Sequence, residues 1–204
     1  MQNLPPEPWR WDATDMARAI RLRAISAREA TQSVLARCAE VNPLINAVVE
    51  VLEDEALAAA EAADASMARG EALGPLHGVP VSTKINVDQK GVATSNGCVP
   101  LSTLVAKEDS AVVGNLRRAG AILFGRTNTP AFSARWFTTN LVHGDTRNPR
   151  DRSITPGGSS GGAAAALTAG IGHIAHGTDI AGSVRYPAYA CGVHRFMDDE
   201  PLYE

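Results

Sequence analysis

The sequence has little of what several protein classes require. It has three cysteines, Cys38, Cys98 and Cys191, far apart along 204 residues. They form no CxxC pair and no His/Cys spacing of a metal site. An odd, sparse count fits a reducing cytoplasm, where each thiol is a small buried hydrophobe. Basic residues are not in surplus: 19 Lys and Arg face 22 Asp and Glu, a net charge of −3. A nucleic-acid partner held by phosphate neutralisation is therefore not expected. No apolar run approaches the ~18 residues of a membrane-spanning helix. The opening "MQNLPPEPWRW" lacks the apolar core of a secretory signal, so a cytoplasmic location is expected.

What remains is an ordinary soluble composition, 45% hydrophobic, in a chain of single-domain length. Its periodicity alternates. Apolar positions Met16, Ala19, Ile20 and Leu22, then Ala30, Val34, Leu35 and Cys38, read as two helices. Ser26 and Glu29 form a capping box that sets the break between them. "INAVVEVL" reads as a strand, and "EDEALAAAEAADASMARGE" as a helix with acids in its first turn. A strand-like run covers Val79 to Val87. "DSAVVGNLRRAG" is a helix started by Asp109 or Ser110, "AILFG" a buried strand and "TNTPAF" a turn. "AAAALTAG" is a helix, "IGHIAHG" a short strand, "TDIAGS" a loop, and "SVRYPAYACG" begins another helix. Helices alternating with short strands make the class α/β.

The stretch "TPGGSSGGAAAALTAG", Thr155 to Gly170, is the most unusual. A P-loop needs Lys after its last glycine, and here alanine follows Gly162. Gly158 to Gly162 matches G-x-S-x-G, but a nucleophile elbow needs a strand directly before it. The preceding "RNPRDRSITPG" is polar and holds two prolines. Gly170 to Ala175 spells GxGxxA, yet leads from helix into strand, the reverse of a dinucleotide site. By composition alone, a tight turn packing a helix N-terminus against another backbone remains open.

Further on, "GTDIAGSVRYPA" places Ser183 at the head of a helix. The N–H groups of Ile180, Ala181, Gly182 and Ser183 can turn inward as a nest for an oxyanion. A serine nucleophile needs a base. None of His77, His143, His173, His176 and His194 has an evident partner. Lys84 lies within the apolar run "VPVSTKINVD". If buried, its pKa falls from ~10.4 toward neutrality and it becomes a usable base. An edge-strand lysine facing water fits the local sequence slightly better.

Together "HGVPVSTK", "GRTNTPAF", "TPGGSSGGAAAAL" and "GTDIAGSVRYPAYACG" resemble, in order, the amidase signature family of serine hydrolases. The resemblance runs from about Thr14 to Gly192. It implies a mixed β-sheet wrapped by helices and a Ser–cis-Ser–Lys triad. Lys84 corresponds to the lysine, Ser159 to the bridging serine after a cis peptide bond, and Ser183 to the nucleophile. The interval from Ser159 to Ser183 matches the family's. Backbone N–H groups of residues 180–183 correspond to the oxyanion hole. Ser160, Thr178, Asp179 and Arg185 are supporting residues, with Arg185 pairing to a carboxylate such as Asp179. Asn86 and Asp88 are weaker, structural candidates. The chemistry implied is hydrolysis of a small-molecule amide through an acyl-enzyme, with no metal and no organic cofactor.

The resemblance stops at residue 193. Residues 1–193 read as the N-terminal part of an amidase domain, and 194–204, "HRFMDDEPLYE", as a tail unlike the family. The fold is therefore expected to be incomplete at its C-terminus. Uncovered apolar faces would favour low stability or self-association, with little amide turnover. Two other functions share the motifs: a catalytically inactive remnant, and the glutamine-hydrolysing A-type subunit of a tRNA-dependent amidotransferase.

Overall fold

The computed structural model describes residues 4–196, so most of the 194–204 tail lies outside the described residues. Helix starts follow local chemistry. Asp12 caps α1 (Ala13–Arg21) by accepting from the Asp15 N–H. The capping box precedes α2 (Ala27–Ile45): Ser26 N–H donates to Glu29 Oε2 at 2.8 Å, and Glu29 N–H to Ser26 Oγ at 3.1 Å. Asp64 accepts from the N–H groups of Ala27 and Arg28, so α3 (Glu53–Ala68) supplies a second anion to the same helix end. Between α2 and α3 runs β1 (Val48–Val51).

The next strand, β2 (Pro80–Lys84), stops three residues short of the expected Val87. Beyond Lys84 the chain turns, and the Val87 N–H donates to the Lys84 carbonyl. Helix α4 (Ala111–Arg118) has Ser110 at its N-cap, and a left-handed Gly120 follows its end before β3 (Ile122–Thr127). A hairpin of two-residue strands, β4 (Thr139–Asn140) and β5 (Gly144–Asp145), was not expected. The remainder is α5 (Gly161–Thr168), β6 (Ile174–Ala175) and α6 (Arg185–Cys191).

The main sheet has the order β1-β3-β2-β6, with β2 parallel to both neighbours and β1 antiparallel to β3. Alternation along β3 divides the core between two faces. Ile122 and Phe124 pack with α2, α3 and the alanines of α5, while Leu123 packs with Val79, Val81, α1 and Val113 of α4. The sheet is thus covered by helices on both faces, as parallel strands require. The small residues of α5 permit a very close approach. A Cβ on Gly162 would lie 2.4 Å from the Asn128 backbone nitrogen and 2.9 Å from the Ala47 carbonyl oxygen. This contact seats the start of α5 against the end of β3.

Candidate active site

The site lies where three parallel strands end. Lys84 is the last residue of β2, Asn128 and Thr129 follow β3, and His176 to Thr178 follow β6. In open α/β sheets, ligands bind beyond the carboxyl ends of the strands. Because β2 is central, Lys84 is not an edge residue facing water. It is fully buried, which overturns the solvent-facing alternative.

The Lys84 Nζ donates to three hydroxyls: Ser159 Oγ at 2.7 Å, Thr178 Oγ1 at 2.9 Å and Ser160 Oγ at 3.2 Å. Burial pushes its pKa down from 10.5 to about 7, while the Asp179 carboxylate opposes that shift. Both charge states are therefore populated near neutral pH. Neighbouring His176 is held down to about 4 by burial and by the Lys84 charge.

The glycine loop is not a nucleophile elbow, because no strand precedes it. The Gly158–Ser159 peptide bond is cis, as the resemblance implied. Several contacts brace the loop. Thr129 Oγ1 donates to the Ser159 carbonyl at 3.0 Å, and Thr138 Oγ1 to the Gly157 carbonyl at 2.8 Å. A Cβ on Gly158 would meet the backbone of residues 135–137 at 2.6–2.8 Å. Ser160 ties the loop to the next one. Its N–H donates to the Ser183 carbonyl at 3.0 Å, and its hydroxyl accepts from the Thr178 N–H at 3.2 Å.

Asp179 organises the second loop. Its carboxylate accepts from the N–H groups of Gly182 (2.7 Å), Val184 (3.0 Å) and Arg185 (3.2 Å). The Arg185 side chain reaches it through Nε at 3.1 Å and a terminal nitrogen at 3.0 Å. Hydrogen bonding from Arg185, then from the backbone donors, holds the Asp179 carboxyl well below the usual carboxylate range. Of the four N–H groups expected to form the nest, that of Gly182 donates to Asp179 in this structure. The N–H groups of Ile180, Ala181 and Ser183 donate to no acceptor among the described residues. Ser183 is half-buried, and its hydroxyl makes no hydrogen bond among them either.

Asn86 comes closer to the site than expected, donating to Thr178 Oγ1 at 3.2 Å, whereas Asp88 instead accepts from Thr94 Oγ1. The sequence reading missed Thr129 and Thr138, which hold the glycine loop, and Arg126. The Arg126 guanidinium is buried, pairs with Glu50 at 2.9 Å and donates to the Val87 carbonyl at 2.8 Å. It thereby pins the turn after Lys84 to β1. The signal was the polar run "RTNT" at the end of an otherwise apolar strand.

With this geometry described, comparison with known proteins places the chain. A family model described as Amidase matches residues 29–194, and the chain belongs to the amidase signature family. It is similar to the indoleacetamide hydrolase of Bradyrhizobium diazoefficiens, 55% identical over 91% of this chain and 35% of that protein. It is also similar to the A-type subunit of the glutamyl-tRNA(Gln) amidotransferase of Acidothermus cellulolyticus, 43% identical over 94% of this chain and 37% of that one. A solved bacterial aryl acylamidase of the amidase signature enzymes superposes with a TM-score of 0.85 at 34% identity, covering 90% of this chain and 39% of that one. The chain spans a little over a third of the length of these curated relatives.

Proposed function

We propose that this chain carries the catalytic residues of a serine hydrolase that cleaves a carboxylic amide C–N bond. The observation that carries the reading is the buried Lys84 Nζ, 2.7 Å from Ser159 Oγ and near-neutral in pKa. Neutral Lys84 accepts the Ser159 proton while Ser159 accepts the Ser183 proton, and Ser183 Oγ bonds to the amide carbon. The carbonyl oxygen becomes an oxyanion facing the N–H groups of Ile180, Ala181 and Ser183. Gly182 serves indirectly, by fixing the loop through Asp179. The relay then runs in reverse: a proton reaches the amine nitrogen, the C–N bond breaks, and the acyl group stays on Ser183. Water, losing its proton through the same relay, releases the acid. The Ser159–Ser183 link is not formed in this structure, and catalytic hydrogen bonds commonly tighten only once substrate is bound.

Similarity to an indoleacetamide hydrolase at 55% identity supports a small amide substrate over the amidotransferase reading, whose relative stands at 43%. The test is covalent labelling with a fluorophosphonate, read by intact mass. Labelling needs an activated Ser183 but not amide turnover. One adduct is expected on the wild-type chain, and none on Ser183→Ala or Lys84→Ala. A folded, soluble chain that takes no adduct refutes the reading and leaves a catalytically inactive remnant.

A further inference from the structure

A neutral lysine has two N–H donors and one lone pair, and the three partners of Lys84 are all hydroxyls. For the relay to run, that lone pair must take the proton of Ser159 and of no other hydroxyl. The hydrogen-bond pattern decides which proton is on offer. Ser160 Oγ donates to the Thr178 carbonyl at 3.3 Å, so its proton is committed. Ser159 Oγ, 2.7 Å from Nζ, donates to no other acceptor among the described residues. Thr178 Oγ1, 2.9 Å from Nζ, is the competitor.

Asn86 removes this competitor. Its Nδ2 donates to Thr178 Oγ1 at 3.2 Å. With Lys84 and Asn86 on its two lone pairs, the Thr178 oxygen can aim its hydrogen only away from both. Turning the amide over leaves the result unchanged. Thr178 then donates to Asn86 Oδ1, a buried atom that has no other hydrogen-bond partner. The turn after β2 fixes this placement. The Val87 N–H closes it on the Lys84 carbonyl at 3.2 Å. Arg126 holds the carbonyls on both sides of Asn86, that of Ile85 at 3.4 Å and that of Val87 at 2.8 Å. A residue two places beyond the base is thus set on the one hydroxyl that competes for it.

We propose that Asn86 is a positioning residue that directs the Thr178 proton away from Lys84, so that Ser159 alone delivers a proton to the amine. The inference rests on the amidase reading. One proton passes from Ser159 Oγ to Lys84 Nζ as another passes from Ser183 Oγ to Ser159 Oγ, and Thr178 keeps its own. Without Asn86, a Thr178 O–H turned onto the lone pair blocks that transfer until it turns back.

The test is the rate of fluorophosphonate labelling of Ser183 in the 204-residue chain. Asn86→Leu should slow it about five- to tenfold, the weight of one neutral hydrogen bond competing for the lone pair. In a Thr178→Val background the same change should alter the rate by less than about twofold, since no competing hydroxyl is left. Asn86→Asp covers the case in which leucine prevents folding. Its carboxylate accepts the Thr178 proton but favours the charged lysine, so labelling should reach the wild-type plateau at a higher pH. Asp179 and His176, the titratable neighbours coupled to Lys84, are the same in both proteins. Labelling of Asn86→Leu at the wild-type rate overturns the proposal. So does slowing of equal size in both backgrounds, or a plateau of Asn86→Asp below that of wild type. Each of these outcomes, with adduct on the wild-type chain, removes the inference and leaves the amidase reading standing. A wild-type chain without adduct removes both.

Discussion

Replacing Lys84 by methionine isolates the group on which the proposed chemistry depends. The native lysine is fully buried and titrates near 7, whereas in the unfolded chain it titrates near its ordinary 10.5. Between these values the unfolded state binds more protons than the native state, so this group makes stability rise with pH. Its burden is fully present below about pH 7 and gone above 10.5. The best window runs from about pH 7.5 to 9. Below it, His143, His173 and His176, all lowered by burial, still contribute. Above it, Cys38 and Cys191, both raised to about 11, begin to act with the opposite sign. One pH unit corresponds to about 1.4 kcal/mol, so wild type should gain about 2 kcal/mol across the window. Lys84→Met should lack that gain. Near pH 7 the variant should be the more stable chain by about 1 kcal/mol, because loss of the burial penalty outweighs three lost hydrogen bonds of about 1 kcal/mol each. The assay is urea unfolding of both proteins at several pH values. A stability difference that stays constant from pH 7.5 to 9 would show that Lys84 keeps its charge in both states, and the argument for it as a base would fail.

Two further substitutions test the scaffold around the relay. Arg185→Lys keeps the charge but loses the two-nitrogen grip on Asp179. Arg185 is half-exposed, so stability should change by less than about 1 kcal/mol, while labelling of Ser183 slows about tenfold as the loop loosens. Unchanged labelling kinetics would remove Arg185 from the positioning of that loop. Gly162→Ala forces a methyl group against the backbone of Asn128 and Ala47, which cannot swing away as a side chain would. It should cost about 3 kcal/mol or more. An unaltered urea midpoint would mean that α5 does not sit against the end of β3 as described.

The parts of this fold that were legible in the sequence are those governed by near neighbours. Asp12 and the Ser26–Glu29 box each announce a helix through groups three residues away, whereas Ser110 stands at an N-cap without a side-chain capping hydrogen bond. Strand β2 announces itself by the β-branched run that contains it, and β3 by its short apolar run. The β4–β5 hairpin does not, because two-residue strands are too short to show a period. The fate of Lys84 was illegible locally for a different reason. A lysine in an apolar run is either a solvent-facing edge residue or a buried base, and the choice belongs to strand order. Only the pairing of β2 with β6 makes its strand central. The bond from the Gly182 N–H to Asp179 was illegible for a related reason, since it forms only once the loop has closed.

The site itself shows why motif order points to residues that lie together where local reading stalls. Ser159, Ser160 and Thr178 converge on one ammonium because α5 is seated on the end of β3 and β6 lies beside β2. Thr178 comes from the turn after β6, and Ser159 and Ser160 from the glycine loop that leads into α5. No single turn has a composition that reveals its role, since glycine, serine and threonine are ordinary turn residues. Their ordered spacing carries the information, because only that spacing returns all of them to Lys84. Motif order therefore speaks for the residues that meet Lys84, and strand order for its burial.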